Sequence, residues 1–330
     1  MPHSRLLLRR RLLATAGLGL LSRPVLAQSA LRLVVADQNQ VLQTMLPLAG
    51  EQAKLPFGVT YANFQGGPAI LEAFRAGALD VAVIGNTPPI QAHAAGERLP
   101  VIAARLSSRP DYQFALRPGL RLATLAEFRG KRIAYAEGTA RQPFVLAALK
   151  KAGLSRRDVR LVPLRVADFV DALRSNQVDV GALNEPHYSR YLAEAAERGI
   201  STVPEAELDG LPRRIAYLYA SGTALAQPAK YAALRDFVRA WVIASRWIQA
   251  NNPAWVEAYY VRQQRLRRED GEAAERSEGS FRFPPLGEMV PIQQELIDLI
   301  HAAGDLPRRL DAGEEFDRRF DDVIAAAVAA

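Results

Sequence analysis

The chain has 330 residues, 49% of them hydrophobic, which is enough to bury a sizeable core and to form two domains. It contains no cysteine, which excludes disulfides, thiolate metal sites, cysteine nucleophiles and a lipid-modified N-terminal cysteine. The net charge of +7 is mostly local: residues 1–27 hold five arginines and no acids, leaving 37 basic against 35 acidic residues, a balance that gives no reason to expect a nucleic-acid partner.

Residues 1–27 read as an export signal. Arg5 and Arg9-Arg10-Arg11 form a basic start, and Leu12 to Leu21 form an apolar run too short to span a bilayer. Val25-Leu26-Ala27 supplies small residues for cleavage, so the mature chain is expected to begin at Gln28. Arg9-Arg10-Arg11-Leu12-Leu13 suits either the twin-arginine route or the general secretory route.

From Leu31 onward strands and helices alternate. Strands are expected over 31–36, 58–64, 79–84, 101–106, 112–116, 131–136, 159–164, 178–183 and 215–219, with helices or helical turns between them. Such repeats imply parallel sheets covered by helices on both faces. After residue 219 the pattern becomes helical, over 231–250, 254–260 and 289–303. Residues 264–280 are charged and carry no clear period, and they read as a helix with a mobile loop. Trp241, Trp247 and Trp255 read as core or packing aromatics rather than ligand stackers.

The stretch Gln65 to Pro89 organises the rest. Gln65-Gly66-Gly67-Pro68 opens a helix with Pro in its first turn, Ile70, Leu71 and Phe74 recur at helical spacing, and Gly77 is placed to stop it. A buried strand follows, ending at Gly85-Asn86-Thr87, which opens the next helix. Helix starts of this kind bind anions through free N–H groups. The pattern recurs 99 residues later: Ala73-Phe74-Arg75 and Asp80-Val81 match Ala172-Leu173-Arg174 and Asp179-Val180, and that strand ends at Asn184-Glu185-Pro186. Either chance resemblance or two similar α/β lobes facing one cleft explains the match.

The motifs QGGPAILEAFRAGALDVAVIGNTPPIQAHAAG, LAEFRGKRIAYAEGT, LKKAGL, VDVGALNEPHY and PIQQELIDLIHAAGDLP occur in this order. The set resembles the periplasmic substrate-binding proteins of ABC importers for sulfonates, nitrate and taurine, with the aliphatic-sulfonate branch nearest. The resemblance implies an α/β, two-lobed periplasmic-binding-protein fold of type II with two hinge crossings, near Phe114–Arg117 and Arg214–Tyr217. Lobe one would comprise 31–114 and 215–330, and lobe two 115–214. It also implies an exported periplasmic monomer that uses no cofactor or metal, captures a small anionic ligand and delivers it to a membrane permease.

Carried over by that resemblance, the ligand-binding candidates are Gln38, Gln65, Gly66, Gly67, Asn86 and Thr87 in lobe one, and Gly138, Thr139, Asn184 and Glu185 in lobe two. The family commonly places a tryptophan-aspartate-proline stretch where this chain has Asn184-Glu185-Pro186, which puts a short alkanesulfonate in doubt; nitrate, taurine and a heteroaromatic vitamin precursor stay open. Arg141 stands out independently, as a cation in the first helical turn, where it opposes the helix dipole. Either it meets a bound anion, or it reaches solvent or Glu137. Thr87 and Thr139 either donate to a ligand or cap their helices. Glu185 either accepts from a ligand or favours its helix start, and Asn86 either binds an oxyanion or ties down its turn. The rival reading, an enzyme on the same fold, finds no support in the four scattered histidines His3, His93, His187 and His301, which show neither metal-ligand spacing nor a triad.

Overall fold

Alternating apolar runs and amphipathic helices resolve into two sheets in the computed structural model, which describes residues 31–64, 66–110 and 112–330. The expected export signal over 1–27 and the candidate Gln65 lie outside the described residues. The elements in chain order are β1 (Arg32–Gln38), α1 (Val41–Leu48), β2 (Gly58–Phe64), α2 (Gly67–Arg75), β3 (Val81–Ile84), α3 (Thr87–Ala94), β4 (Val101–Pro110), β5 (Gln113–Leu116), β6 (Arg132–Tyr135), α4 (Arg141–Lys151), β7 (Arg160–Pro163), α5 (Phe169–Arg174), β8 (Val180–Leu183), α6 (His187–Leu192), β9 (Arg213–Ala220) and β10 (Phe281–Arg282). The longer helices of the last third cover Pro228–Ala250, Arg268–Glu278 and Leu286–Ala302, and a π-helical segment covers Val256–Gln263.

The larger sheet has the order β10-β4-β9-β3-β1-β2 and the smaller one β5-β8-β6-β7. β1 pairs in parallel with β2 and β3, while β9 runs antiparallel between β3 and β4. The chain leaves the larger sheet after Pro110 and returns at Arg213, and these two residues are paired, so the two connections run side by side. Phe114 to Leu116, expected in a crossing, belong to β5 of the smaller sheet.

Period-two alternation decides which face each strand residue covers. In the smaller sheet Phe114, Leu116, Ile133 and Tyr135 join the core with Phe128 and Phe144, while Ala115 and Ala134 face Phe169, Leu173 and Tyr191. Apolar side chains on both faces make this a sheet covered on both sides. The larger sheet buries Leu33, Val35, Val81, Ile102, Tyr217 and Tyr219 against Phe237, Trp241 and Met289.

Residues 264–280 form an ordered turn and the helix Arg268–Glu278, which packs on α6 of the smaller half. Gly271 allows that helix its contacts, because a Cβ there would come within 2.9 Å of Tyr260 Cβ. Among the described residues no helix is long and apolar enough to cross a membrane.

Candidate ligand-binding site

A cavity of about 240 Å³ lies where the ends of β1 and β3 and the middle of β4 meet the start of α4 and the end of β8. Its polar lining includes Asp37, Gln38, Arg105, Thr139, Arg141, Asn184, Glu185, Arg214 and Glu278, and its apolar wall includes Trp241, Ile248, Trp255 and Tyr259. Trp255 and Tyr259 stack with centroids 4.5 Å apart and planes 5° from parallel.

The first residue of α4 dominates the smaller half's contribution. Arg141 is 6% exposed. Its Nε donates to Ala182 O at 3.0 Å and its Nη2 to Asn184 Oδ1 at 2.6 Å. The guanidinium carbon lies 4.6 Å from the Tyr112 ring centroid and 5.6 Å from that of Phe169. Among the described residues its partners are carbonyls and rings, with no carboxylate among them, so neither solvent nor Glu137 takes the charge. A buried guanidinium held only by neutral acceptors gains most from an anion. His187 beside it adds no charge at neutral pH: burial, then repulsion from Arg141 and Arg190, push its pKa down to about 4.

The acids in the cavity are already engaged. Asp37 accepts from the N–H groups of Leu42 and Gln43 at 3.1 and 2.9 Å, capping α1 from within the chain, and burial raises its pKa to about 6 against those donors. Glu185 accepts from the Ser277 hydroxyl at 2.8 Å and the Ser189 N–H at 3.2 Å, and burial raises its pKa as well. It thus stabilises the start of α6 and ties the smaller half to the helix Arg268–Glu278.

Several candidates are placed elsewhere. Asn86 and Thr87 are 1% and 0% exposed and do not line the cavity; the Thr87 hydroxyl donates to Asn86 Oδ1 at 3.1 Å, and Asn86 O accepts from Gln293 Nε2 at 2.9 Å. They tie down their turn. Gly138 is also outside the lining, and its N–H is spent on Gln142 Oε1 at 3.0 Å. Thr139 lines the cavity, but its hydroxyl donates to Ala136 O at 2.8 Å and accepts from Arg141 N–H at 3.3 Å, so it is engaged within its own turn. Gly66 and Gly67 do line it, at an α2 start with no side-chain cap. Gly67 must be glycine, because a Cβ would meet Pro88 Cγ at 2.9 Å.

The sequence reading missed Arg105, Arg214 and Glu278, and it took Trp241 and Trp255 for core or packing aromatics rather than ligand stackers. Both tryptophans are buried and line the cavity at once. Arg214 pairs with Glu278 at 3.0 Å, and Glu278 also accepts from Tyr260 OH at 2.9 Å. The signal for these was weak: Arg105 sits mid-strand, and Glu278 sits in a stretch without period.

A family profile described as NMT1/THI5 like matches residues 59–253. A protein of Escherichia coli (strain K12) whose name assigns it to aliphatic-sulfonate binding is 28% identical over 171 residues, 52% of this chain and 51% of that protein, so the matched part spans about half of the relative. The structure of the alkanesulfonate-binding protein SsuA from Xanthomonas axonopodis pv. citri bound to MOPS is similar with a TM-score of 0.76 at 24% identity, covering 87% of this chain and 98% of that one. The desulfurization enzyme DSZB is similar with a TM-score of 0.63 at 14% identity, covering 90% and 99%. At these identities the structural likeness speaks for the fold alone.

Proposed function

The chain belongs to the NMT1/THI5-like family and has the periplasmic-binding-protein fold, and from that premise we propose that it is the exported solute-binding component of an ABC importer. It captures a small organic anion, a sulfonate, and presents it to a membrane permease. The observation that carries this reading is Arg141: buried, lining the cavity and without a carboxylate partner among the described residues. The names of the sulfonate-binding relatives support it. The cavity also disfavours nitrate, since about 240 Å³ walled by Trp241, Trp255 and Tyr259 suits an anion with an apolar body. That wall replaces the aromatic that the Asn184 loop lacks.

We further take the two sheets to be lobes, 31–110 with 213–330 and 112–212, that close over the ligand about the paired connections at Pro110 and Arg213. Binding rather than catalysis is favoured because the cavity acids are spent on backbone and hydroxyl donors, and the chain has no cysteine for a nucleophile.

Calorimetric titration with aliphatic sulfonates tests this. Arg141→Ala should weaken binding by about 1.5–3 kcal/mol, the worth of hydrogen bonds to a charged group. Arg141→Lys should recover part of the loss, since it keeps the charge without the planar fork. Unaltered affinity in Arg141→Ala, with the variant folded, would refute the assignment.

A further inference from the structure

Arg105 also lines the cavity, and unlike Arg141 it has no hydrogen-bond acceptor among the described residues. It projects from β4 of the larger sheet, and its carbon lies 4.7 Å from the Phe281 ring centroid. Among the described residues it makes that ring contact and no hydrogen bond or ion pair. Burial works against its charge, the nearby Glu278 favours it, and Arg214 opposes it. Glu278 is engaged by Arg214 and Tyr260, and Arg214 also acts on Glu185, so the two acids nearest this cluster both have Arg214 as a neighbour. Arg141 has an entirely different set of partners, in the smaller half: Ala182 O, Asn184, Tyr112 and Phe169.

We propose that Arg105 forms a second anion subsite of the same cavity, so that the ligand is an organic sulfonate carrying a second acidic group, a carboxylate or another sulfonate, on an apolar spacer. The inference rests on the sulfonate reading above. Its logic is the inventory of donors and acceptors. Both oxygens of Asp37 and of Glu185 already accept from backbone N–H groups or a hydroxyl, and Glu278 Oε1 accepts from Tyr260 and pairs with Arg214. The donors of Arg105 meet no acceptor among the described residues and are open to the cavity, where an anionic group of the ligand can supply one. A planar guanidinium stacked on a ring offers a fork matched to a carboxylate. The wall of Trp241, Trp255 and Tyr259 suits the spacer.

Calorimetry on the full mature chain decides this with ω-substituted alkanesulfonates, from propane to hexane chains, ending in methyl, carboxamide, amine or carboxylate. At the best length the carboxylate should bind at least tenfold tighter than the methyl, with the carboxamide between. Arg105→Gln should reduce that ratio to near one, and Arg105→Lys should keep part of it. Melting curves without ligand confirm folding of each variant; if Arg105→Gln does not fold, the wild-type series and Arg105→Lys still decide. Equal binding of carboxylate and methyl, or of carboxylate and carboxamide, overturns the proposal while leaving the sulfonate reading intact. An amine-ended chain that binds best also overturns it, giving the subsite to the acids. If no member of the series binds, the sulfonate reading fails and this inference falls with it.

Discussion

The helix–strand unit that ends at Gly85-Asn86-Thr87 and the one that ends at Asn184-Glu185-Pro186 are built alike up to the last strand residue. Their helices end on the same backbone bonds, Ala76 N–H to Glu72 O and Ser175 N–H to Asp171 O, both at 2.9 Å. Left-handed residues then break them, Gly77 at φ 67° and Asn176 at φ 58°. Next, Asp80 and Asp179 lock each unit to a neighbouring strand. Asp80 exchanges backbone bonds with Val34 through its N–H and its carboxylate, and Asp179 does the same with Arg132. The match 99 residues apart is therefore one construction used twice. The difference begins at the strand ends. The first loop is covered by the C-terminal segments: Tyr219 OH donates to Gly85 O, and Gln293 bridges Asn86 O and Glu315. The second loop stays open to the cavity, where Asn184 holds Arg141. One scaffold thus yields a foundation and a cavity edge, according to what packs on it.

The aspartates offer the largest test of this equivalence. Asp179 receives the Arg132 N–H and two guanidiniums, Arg117 and Arg132, whereas Asp80 receives the Val34 N–H and the single Lys230 ammonium. Asp179→Ala should cost about 3–4 kcal/mol and Asp80→Ala about 2, because the larger loss strands more charge in a partly buried site. Denaturant titration measures both. A negligible cost for either, or the reverse order, would break the comparison.

The two units should also answer pH with opposite signs. Burial works against the Asp179 charge, but Arg132 and Arg117 outweigh it and hold the carboxyl well below its usual range. Its contribution is present above pH 3.8 and is lost as pH falls towards the folded value. Glu315, under the first loop, is pushed by burial from 4.5 up to about 7, against the donors Gln293 and His93. Its contribution is full below pH 4.5 and is lost as pH rises through about 7, a swing of up to about 3 kcal/mol. Asp37, raised to about 6, adds to the same limb. Glu315→Gln should flatten the decline in stability between pH 5 and 7.5, leaving the part due to Asp37; an unchanged slope would remove Glu315 as its source.

Much of the scaffold was legible because local chemistry decides it. Gly58–Phe64 forms the expected strand, Ile70 and Leu71 are buried at helical spacing, and Gly77 ends its helix. Arg141 was legible as well, since a cation at a helix start has no local reason to be there. What escaped depends on partners far along the chain. Nothing near Asn86 indicates that Gln293 will bury it. Nothing near Arg105 shows that β10 and Arg214 will place it on the cavity, and the stretch that supplies Glu278 has no period to read. Of the two helix starts that looked like free anion sites, the one at Gly66-Gly67 lines the cavity without a side-chain cap, while the one at Asn86-Thr87 is buried under Gln293.

The smallest effect separates the loops themselves. Asn184 and Asn86 each stand at the end of a strand, but Asn184 accepts from Arg141, while Asn86 sits 1% exposed under Gln293 with its Nδ2 unpartnered among the described residues. Asn184→Ala removes one acceptor from the guanidinium and frees it to turn, so affinity for the sulfonate should fall by about 1 kcal/mol with little change in stability. Asn86→Ala should do the opposite, lowering stability by about 1 kcal/mol through a buried void and a lost acceptor for Thr87, and leaving affinity within a factor of two. Asn184→Asp distinguishes a positioning role from a merely structural one. It restores the hydrogen bond but hands Arg141 the carboxylate that the native site lacks, so the anion should bind more weakly than to Asn184→Ala although the fold is as stable. Were Asn184→Asp to recover native affinity, the neutrality of Arg141's partners would be irrelevant, and the contrast between the loops would reduce to packing.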